Sequence, residues 1–68
     1  MSQLTIALNG ERRTVVDESL LDLLRSLEID PRTVVVELNR QIVRRAELGQ
    51  TPLSEGDQVE LVHFVGGG

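Results

Sequence analysis

The chain has 68 residues and a formal net charge of −4, with no cysteine and a single histidine, His63. A chain of this length forms one domain that buries only about 60% of its unfolded surface, so most of its leucine, valine and isoleucine residues must lie in the core. The composition excludes a disulfide framework, a thiolate nucleophile and a cysteine metal site. One histidine is too few for a histidine-based zinc site, and we expect no metal.

The acidic balance disfavours a nucleic-acid partner, because phosphate binding needs a clustered basic face. No run approaches the roughly 18 apolar residues of a membrane span. Met1-Ser2-Gln3 does not begin a basic and then apolar leader. We expect a soluble, cytoplasmic protein that is a monomer on its own and binds neither nucleic acid nor membrane.

The first predicted elements form a β-hairpin. Residues 4–8 alternate between apolar and polar side chains, as a half-buried strand does. Asn9-Gly10 follows, and this dipeptide between extended runs is the strongest short hairpin signal because both residues tolerate a positive φ. The returning strand is predicted over residues 11–16.

A helix is predicted to begin at Ser19, whose hydroxyl can accept a hydrogen bond from the backbone N–H of Asp22. Leucines then recur at helical spacing and form one apolar stripe. They are Leu20, Leu23, Leu24 and Leu27, with Leu21 widening the stripe. The helix should end before Asp30-Pro31, since the residue before a proline resists the α region.

The second half of the chain reads as strands. Residues 33–38 are rich in β-branched side chains and predict a strand, followed by a turn at residues 39–41 and a short strand at residues 42–43. Residues 44–54 are predicted to be irregular. Residues 55–57 predict a tight turn and residues 58–65 the last strand. Within the irregular segment, Leu48 and Leu53 are the expected core anchors.

The order β-β-α-β-β-β predicts an α+β fold of the β-grasp, or ubiquitin-like, type. A single helix must bury its apolar stripe against one face of a sheet, so the other face stays open. The last strand should lie centrally beside the first. We expect a β-grasp domain over residues 1–65 and a flexible glycine tail over residues 66–68.

The open face of the sheet is predicted to carry a partner-binding patch. If Val59 and Leu61 point to the helix, alternation places Val62 and Phe64 on the other face, and an exposed apolar cluster usually marks a binding site. The predicted patch consists of Ala7, Val35, Val62, Phe64 and Val65. The alternative is that strand twist, or a bulge near the end of the strand, buries Phe64.

The glycines Gly66, Gly67 and Gly68 contribute no packing. They form a thin thread that can extend roughly 10 Å and carry a free carboxylate into a channel too narrow for a Cβ. The alternative is a frayed tail. No arrangement of side chains indicates catalysis, and the glycines match no phosphate-binding loop. We therefore predict that the chain is not an enzyme and binds no cofactor.

Several of these motifs together resemble the ThiS family, the ubiquitin-like sulfur carriers of thiamine biosynthesis. They are Leu8-Asn9-Gly10, the helix start at residues 19–24, the stretch at residues 38–43, Glu55-Gly56-Asp57 and the final Gly67-Gly68. A Gly-Gly end is shared with ubiquitin and with the small subunit of molybdopterin synthase. The short length and Asn39-x-x-Ile42-Val43-x-Arg45 favour ThiS, although many members have proline where this chain has Arg44.

The resemblance implies that the Gly68 carboxylate is the reacting group. A ThiF-like adenylating enzyme would use ATP to activate it, and a persulfide donor would convert it to a thiocarboxylate. A ThiG-like thiazole synthase would then take the sulfur. Three alternatives remain open at this point: a molybdopterin-synthase-type sulfur carrier, a ubiquitin-like protein modifier, and a plain interaction domain whose glycines are dispensable.

Overall fold

The computed structural model describes residues 3–64 and contains a mixed five-stranded sheet, one α-helix and two 3₁₀ segments. The strands are β1 (Leu4–Leu8), β2 (Glu11–Val15), β3 (Val34–Leu38), β4 (Gln41–Val43) and β5 (Gln58–His63), and the helix is α1 (Leu20–Ser26). The 3₁₀ segments are Pro31–Thr33 and Arg45–Gln50. The predicted element order is confirmed.

The sheet has the strand order β2-β1-β5-β3-β4. The last strand lies centrally, parallel to β1 and antiparallel to β3. The outer pairs, β1 with β2 and β3 with β4, are antiparallel hairpins. This is the β-grasp arrangement predicted from the sequence, with the first and last strands side by side.

Both hairpins turn through two residues with positive φ. In the first, Asn9 has φ 49° and Gly10 has φ 84°, which are the values that a tight two-residue turn requires. In the second, Asn39 has φ 51° and Arg40 has φ 72°. Asparagine tolerates this left-handed region better than most residues, whereas arginine gains nothing from it. The turn therefore imposes its conformation on Arg40.

Helix α1 begins as predicted, because the hydroxyl of Ser19 accepts a 3.2 Å hydrogen bond from the backbone N–H of Asp22. It ends at Ser26, before Asp30-Pro31 as predicted. The backbone N–H of Glu28 donates to the carbonyl of Arg25 and that of Ile29 to the carbonyl of Leu24, while Glu28 adopts φ 60°. This pattern closes a helix without any help from proline.

The core lies between α1 and one face of the sheet. Its buried members are Ile6, Val15, Leu20, Leu23, Leu24, Val34, Val36, Leu48, Leu53, Val59 and Leu61. Leu20, Leu23 and Leu24 of the predicted stripe and both predicted anchors are among them, whereas Leu21 and Leu27 are partly buried against the core. None of the helices within residues 3–64 is long and apolar enough to span a membrane.

The segment predicted to be irregular contains the 3₁₀ turns of Arg45–Gln50. It is tied to the start of α1 by backbone hydrogen bonds from Leu20 N–H to the carbonyl of Thr51 and from Leu53 N–H to the carbonyl of Glu18. Leu48 and Leu53 are 1% and 7% exposed. The segment thus closes the core at the N-terminus of the helix and leaves the opposite face of the sheet uncovered.

Candidate functional site

The open face of the sheet, opposite α1, presents an apolar cluster at the end of β5. Val62 pairs directly with Val35 across the antiparallel β5–β3 ladder. Val62 is 56% exposed and Phe64 is 58% exposed. On a domain this small, two large apolar side chains exposed next to each other in one strand are typical of a binding surface.

The ladder continues one residue beyond β5, because the backbone N–H of Phe64 donates a 2.9 Å hydrogen bond to the carbonyl of Thr33. The register from Val59 to His63 is unbroken. Alternation therefore keeps Phe64 on the same face as Val62. The bulge that would have buried Phe64 does not occur.

Ala7 lies on the same face but away from this cluster. It pairs with Gln58, four positions before Val62, so roughly 13 Å of strand separates the two sites. The reason is that β1 pairs with β5 only at Ala7 and Leu8 and then turns away at Asn9. The structure brings Val35, Val62 and Phe64 together and leaves Ala7 out.

Ile42 is a further exposed apolar residue on the same open face, and the sequence did not predict it. It is 69% exposed and pairs with Glu37, which in turn pairs with Glu60 of β5. Its position could have been found from strand alternation once the β3–β4 register was known. We call Val35, Ile42, Val62 and Phe64 the open-face patch.

A pair of like charges borders the open-face patch. Glu37 and Glu60 lie directly opposite each other on neighbouring strands, and neither has an ion-pair partner among residues 3–64. Like charges in this position destabilise a sheet. The open face therefore combines exposed apolar area with an unfavourable charge pair, which is not how a purely structural surface is built.

Two predicted features lie outside the described residues. They are Val65 of the predicted patch and the predicted tail of Gly66, Gly67 and Gly68. His63 is described: it ends β5, is exposed and pairs with Val34. Two members of the open-face patch, Val62 and Phe64, are thus among the last three residues that the structure describes.

No reactive side-chain arrangement was found in the described part of the chain. Within residues 3–64 no group of three acidic or histidine side chains could hold a metal ion. Asp30 has a pKa lowered to about 2, chiefly because the side chain and then the backbone N–H of Arg32 donate hydrogen bonds to it. This exposed pair caps the 3₁₀ segment Pro31–Thr33 and has no catalytic neighbour.

Comparison with known proteins identifies the family. Residues 6–68 match the sequence profile of the ThiS family. The chain belongs to the ThiS family. Its match runs from the first strand through the final glycines, so it includes both the open-face patch and the tail.

Relatives with ThiS-like sequences fall into two kinds. The sulfur carrier protein ThiS of Bacillus subtilis is 38% identical over 50 residues, covering 74% of this chain and 76% of that protein. A thiazole synthase of Magnetococcus marinus is 44% identical over 64 residues, covering 93% of this chain. This chain spans only 20% of the length of that thiazole synthase.

The crystal structure of the thiamine biosynthesis protein ThiS from Geobacter metallireducens has the same fold. It superposes with a TM-score of 0.80 at 35% identity, covering 96% of this chain and 100% of that one. The sequence match and the backbone superposition therefore agree on the ThiS family and its β-grasp fold.

Proposed function

We propose that this ThiS family chain is a sulfur carrier of thiamine biosynthesis, in which the carboxyl group of Gly68 holds the sulfur. The observation that carries the proposal is the exposure of Val62 and Phe64 on the open face, at the last positions before Val65 and the three glycines. Among the described residues, the open face exposes apolar side chains, and no group of acidic or histidine side chains could hold a metal ion. That division suits a chain that presents its own terminus to other enzymes.

The chemistry begins with a group that is unreactive at neutral pH. A terminal carboxyl has a pKa of about 3.5, so in a chain that ends at Gly68 it is an anion and a poor electrophile. Attack of one carboxylate oxygen on the α-phosphorus of ATP, in a ThiF-like partner, releases pyrophosphate and makes an acyl-adenylate. The acyl carbon then has AMP as its leaving group.

Sulfur enters by a second displacement. The terminal sulfur of a persulfide attacks the acyl carbon and AMP leaves with the electron pair of the broken C–O bond. A thiol then cleaves the S–S bond and becomes part of a disulfide, which leaves a thiocarboxylate on Gly68. A ThiG-like thiazole synthase would accept this sulfur.

The globular part contributes recognition in this mechanism. Ordering the glycine tail in a partner's channel costs roughly 1–2 kcal/mol per residue. Burial of Val62 and Phe64 against that partner would have to offset the cost. Because glycine has no Cβ, the tail can pass through a channel that would exclude any other residue.

A thiazole synthase as acceptor is supported by the relatives. The thiazole synthase of Magnetococcus marinus contains a stretch that is 44% identical to 93% of this chain. That protein, which is called a thiazole synthase, therefore includes within one chain a stretch similar to this carrier. No observation of comparable weight favours molybdopterin synthesis or protein modification.

The test is the intact mass of the 68-residue chain before and after incubation with ATP, a ThiF-like enzyme and a persulfide donor. We expect a gain equal to the difference between sulfur and oxygen, localised to Gly68. A chain lacking Gly67 and Gly68 is the control and should gain nothing. An unchanged mass for the complete chain, with an enzyme that loads another ThiS protein, would overturn the proposal.

A further inference from the structure

Strand β5 is held unequally by its two neighbours. On one side β3 pairs with every residue from Val59 to His63. On the other side β1 pairs only with Gln58 and Val59, because the chain turns at Asn9. The end of β5 that leads to the tail would therefore lack support on the β1 side if only backbone groups were counted.

The side chain of Asn9 supplies that support. In the parallel ladder, Ala7 N–H donates to the carbonyl of Asp57 and Asn9 N–H donates to the carbonyl of Val59, both at 2.9 Å. The same spacing requires that residue 9 next accept from the N–H of Leu61. It does so through the side-chain Oδ1 of Asn9, at 2.8 Å.

The substitution of a side-chain acceptor for a backbone acceptor follows from the turn. With φ 49°, Asn9 has already left the extended conformation, so its own carbonyl no longer continues the strand. Its carboxamide is short enough to reach back to the ladder, as asparagine side chains do in turns. The N–H of Leu61 is part-buried, so losing the Asn9 side chain would leave this donor without its acceptor, which costs free energy.

We infer that Asn9 is a positioning residue for sulfur loading: its carboxamide extends β1 by one ladder position and fixes the course of β5 at Val62 and Phe64. This role rests on the proposed function. Asn9 does not touch the reacting carboxyl group. It acts by holding Leu61, three residues before Phe64.

The second hairpin provides a matched control at the other end of β5. Asn39 also has a positive φ, of 51°, and its Oδ1 accepts a 2.9 Å hydrogen bond from the N–H of Gln58. Its Nδ2 donates to Oδ1 of Asp57 at 3.1 Å. Asn39 therefore ties down the start of β5 as Asn9 ties down its later part, and removing it costs at least as many hydrogen bonds.

The experiment compares Asn9→Gly with Asn39→Gly, because glycine keeps each turn conformation and removes only the side chain. We expect Asn9→Gly to raise the KM of a ThiF-like enzyme for the carrier roughly 2- to 10-fold, the factor that one ordinary hydrogen bond corresponds to. The kcat should not change, because docking re-orders the segment before chemistry. Asn39→Gly should leave KM unchanged although it lowers stability at least as much.

Two further readouts separate positioning from general destabilisation. Amide hydrogen exchange at Leu61 should become faster in Asn9→Gly and stay slow in Asn39→Gly. Asn9→Asp keeps an oxygen acceptor and tolerates positive φ, so it should restore both the slow exchange and the KM.

The inference fails if Asn9→Gly has the KM of the original chain, or if Asn39→Gly raises KM equally. Failure of the original chain to be loaded at all would instead overturn the proposed function, and with it this role. The two failures are distinguishable because the first leaves the loading of the unmodified chain intact.

Discussion

The two faces of the sheet differ in how far their apolar side chains are exposed. On the face that packs against α1, Ile6 and Val59 are no more than 1% exposed, and they lie in one core with Leu24 of the helix. On the open face, Val62 and Phe64 are more than half exposed and border the opposed pair Glu37–Glu60. The same strands supply both faces by alternation. The contrast indicates that stability resides on one face and recognition on the other.

The largest effect on stability is expected from Leu24→Ala, a substitution in the core on the helix side of the sheet. Leu24 is completely buried, so truncating it removes its burial and leaves a cavity, at a cost of about 2–5 kcal/mol. A small domain has little more than that in total. We expect a large fall in the urea unfolding midpoint or loss of the folded state. Ile42→Ala, at an exposed position, should change stability by less than about 0.5 kcal/mol.

On the open face the expected pattern is reversed. Phe64→Ala should leave stability within about 0.5 kcal/mol of the original, because the side chain is mostly exposed. Its affinity for a ThiF-like enzyme should fall by about tenfold or more, as for a central interface aromatic. Isothermal titration calorimetry with the enzyme measures this.

A valine pair gives the matched control for that measurement. Val62 is 56% exposed and lies in the open-face patch on the central strand, whereas Val16 is 54% exposed and follows the edge strand β2. Truncating either to alanine removes the same atoms from similar exposure. Val62→Ala should weaken binding and Val16→Ala should not. Equal effects would show that the open-face patch is not the docking surface.

Much of the fold could be predicted because independent local signals agreed. Asn9-Gly10 identified the first turn, Ser19 the start of α1, and the leucine spacing its buried side. Each of these signals acts within a few residues, so a single sequence is enough to read it. The central position of β5 then followed from the need to bury both Val59 and Leu61.

What escaped prediction depends on register between distant strands. Ala7 was grouped with Phe64 because alternation identifies a face but not the position along it, and the β1–β5 pairing is parallel and short. Ile42 was missed for the same reason. The side-chain role of Asn9 requires knowing that Leu61 lies opposite it, 52 residues later in the chain.

The 3₁₀ segment Arg45–Gln50 was missed for a different reason. Arg44 precedes it without any side-chain capping bond, and only one of its residues, Leu48, is buried. A short 3₁₀ run has neither the repeating apolar stripe nor the capping residue that reveals a helix. Its anchors, Leu48 and Leu53, were visible as isolated leucines, but the conformation between them was not.

A smaller effect on stability is expected from the opposed carboxylates Glu37 and Glu60 on the open face. Glu60→Gln removes one of the two opposed charges, so we expect the free energy of unfolding to rise by about 0.2–1 kcal/mol at low salt. The gain should shrink as ionic strength rises, since exposed charges are screened. Glu37→Gln should give the same gain, and the double variant less than the sum of the two. Additive gains would mean that the two carboxylates do not repel each other.

The smallest effect concerns the exposed pair Asp30–Arg32, at the entry to β3 beside the end of β5 that bears the open-face patch. Hydrogen bonds from Arg32 lower the pKa of Asp30 from 3.8 to about 2. A lowered folded-state pKa means that the carboxylate contributes stability above pH 3.8 and loses it as pH falls towards 2. Asp30→Asn should therefore be slightly less stable than the original chain at pH 6, and the difference should close between about pH 4 and pH 2. Because both groups are solvent-exposed, added salt should reduce the difference at pH 6. A difference as large at pH 2 as at pH 6 would show that Asp30 stabilises the start of Pro31–Thr33 by hydrogen bonding alone and not through its charge.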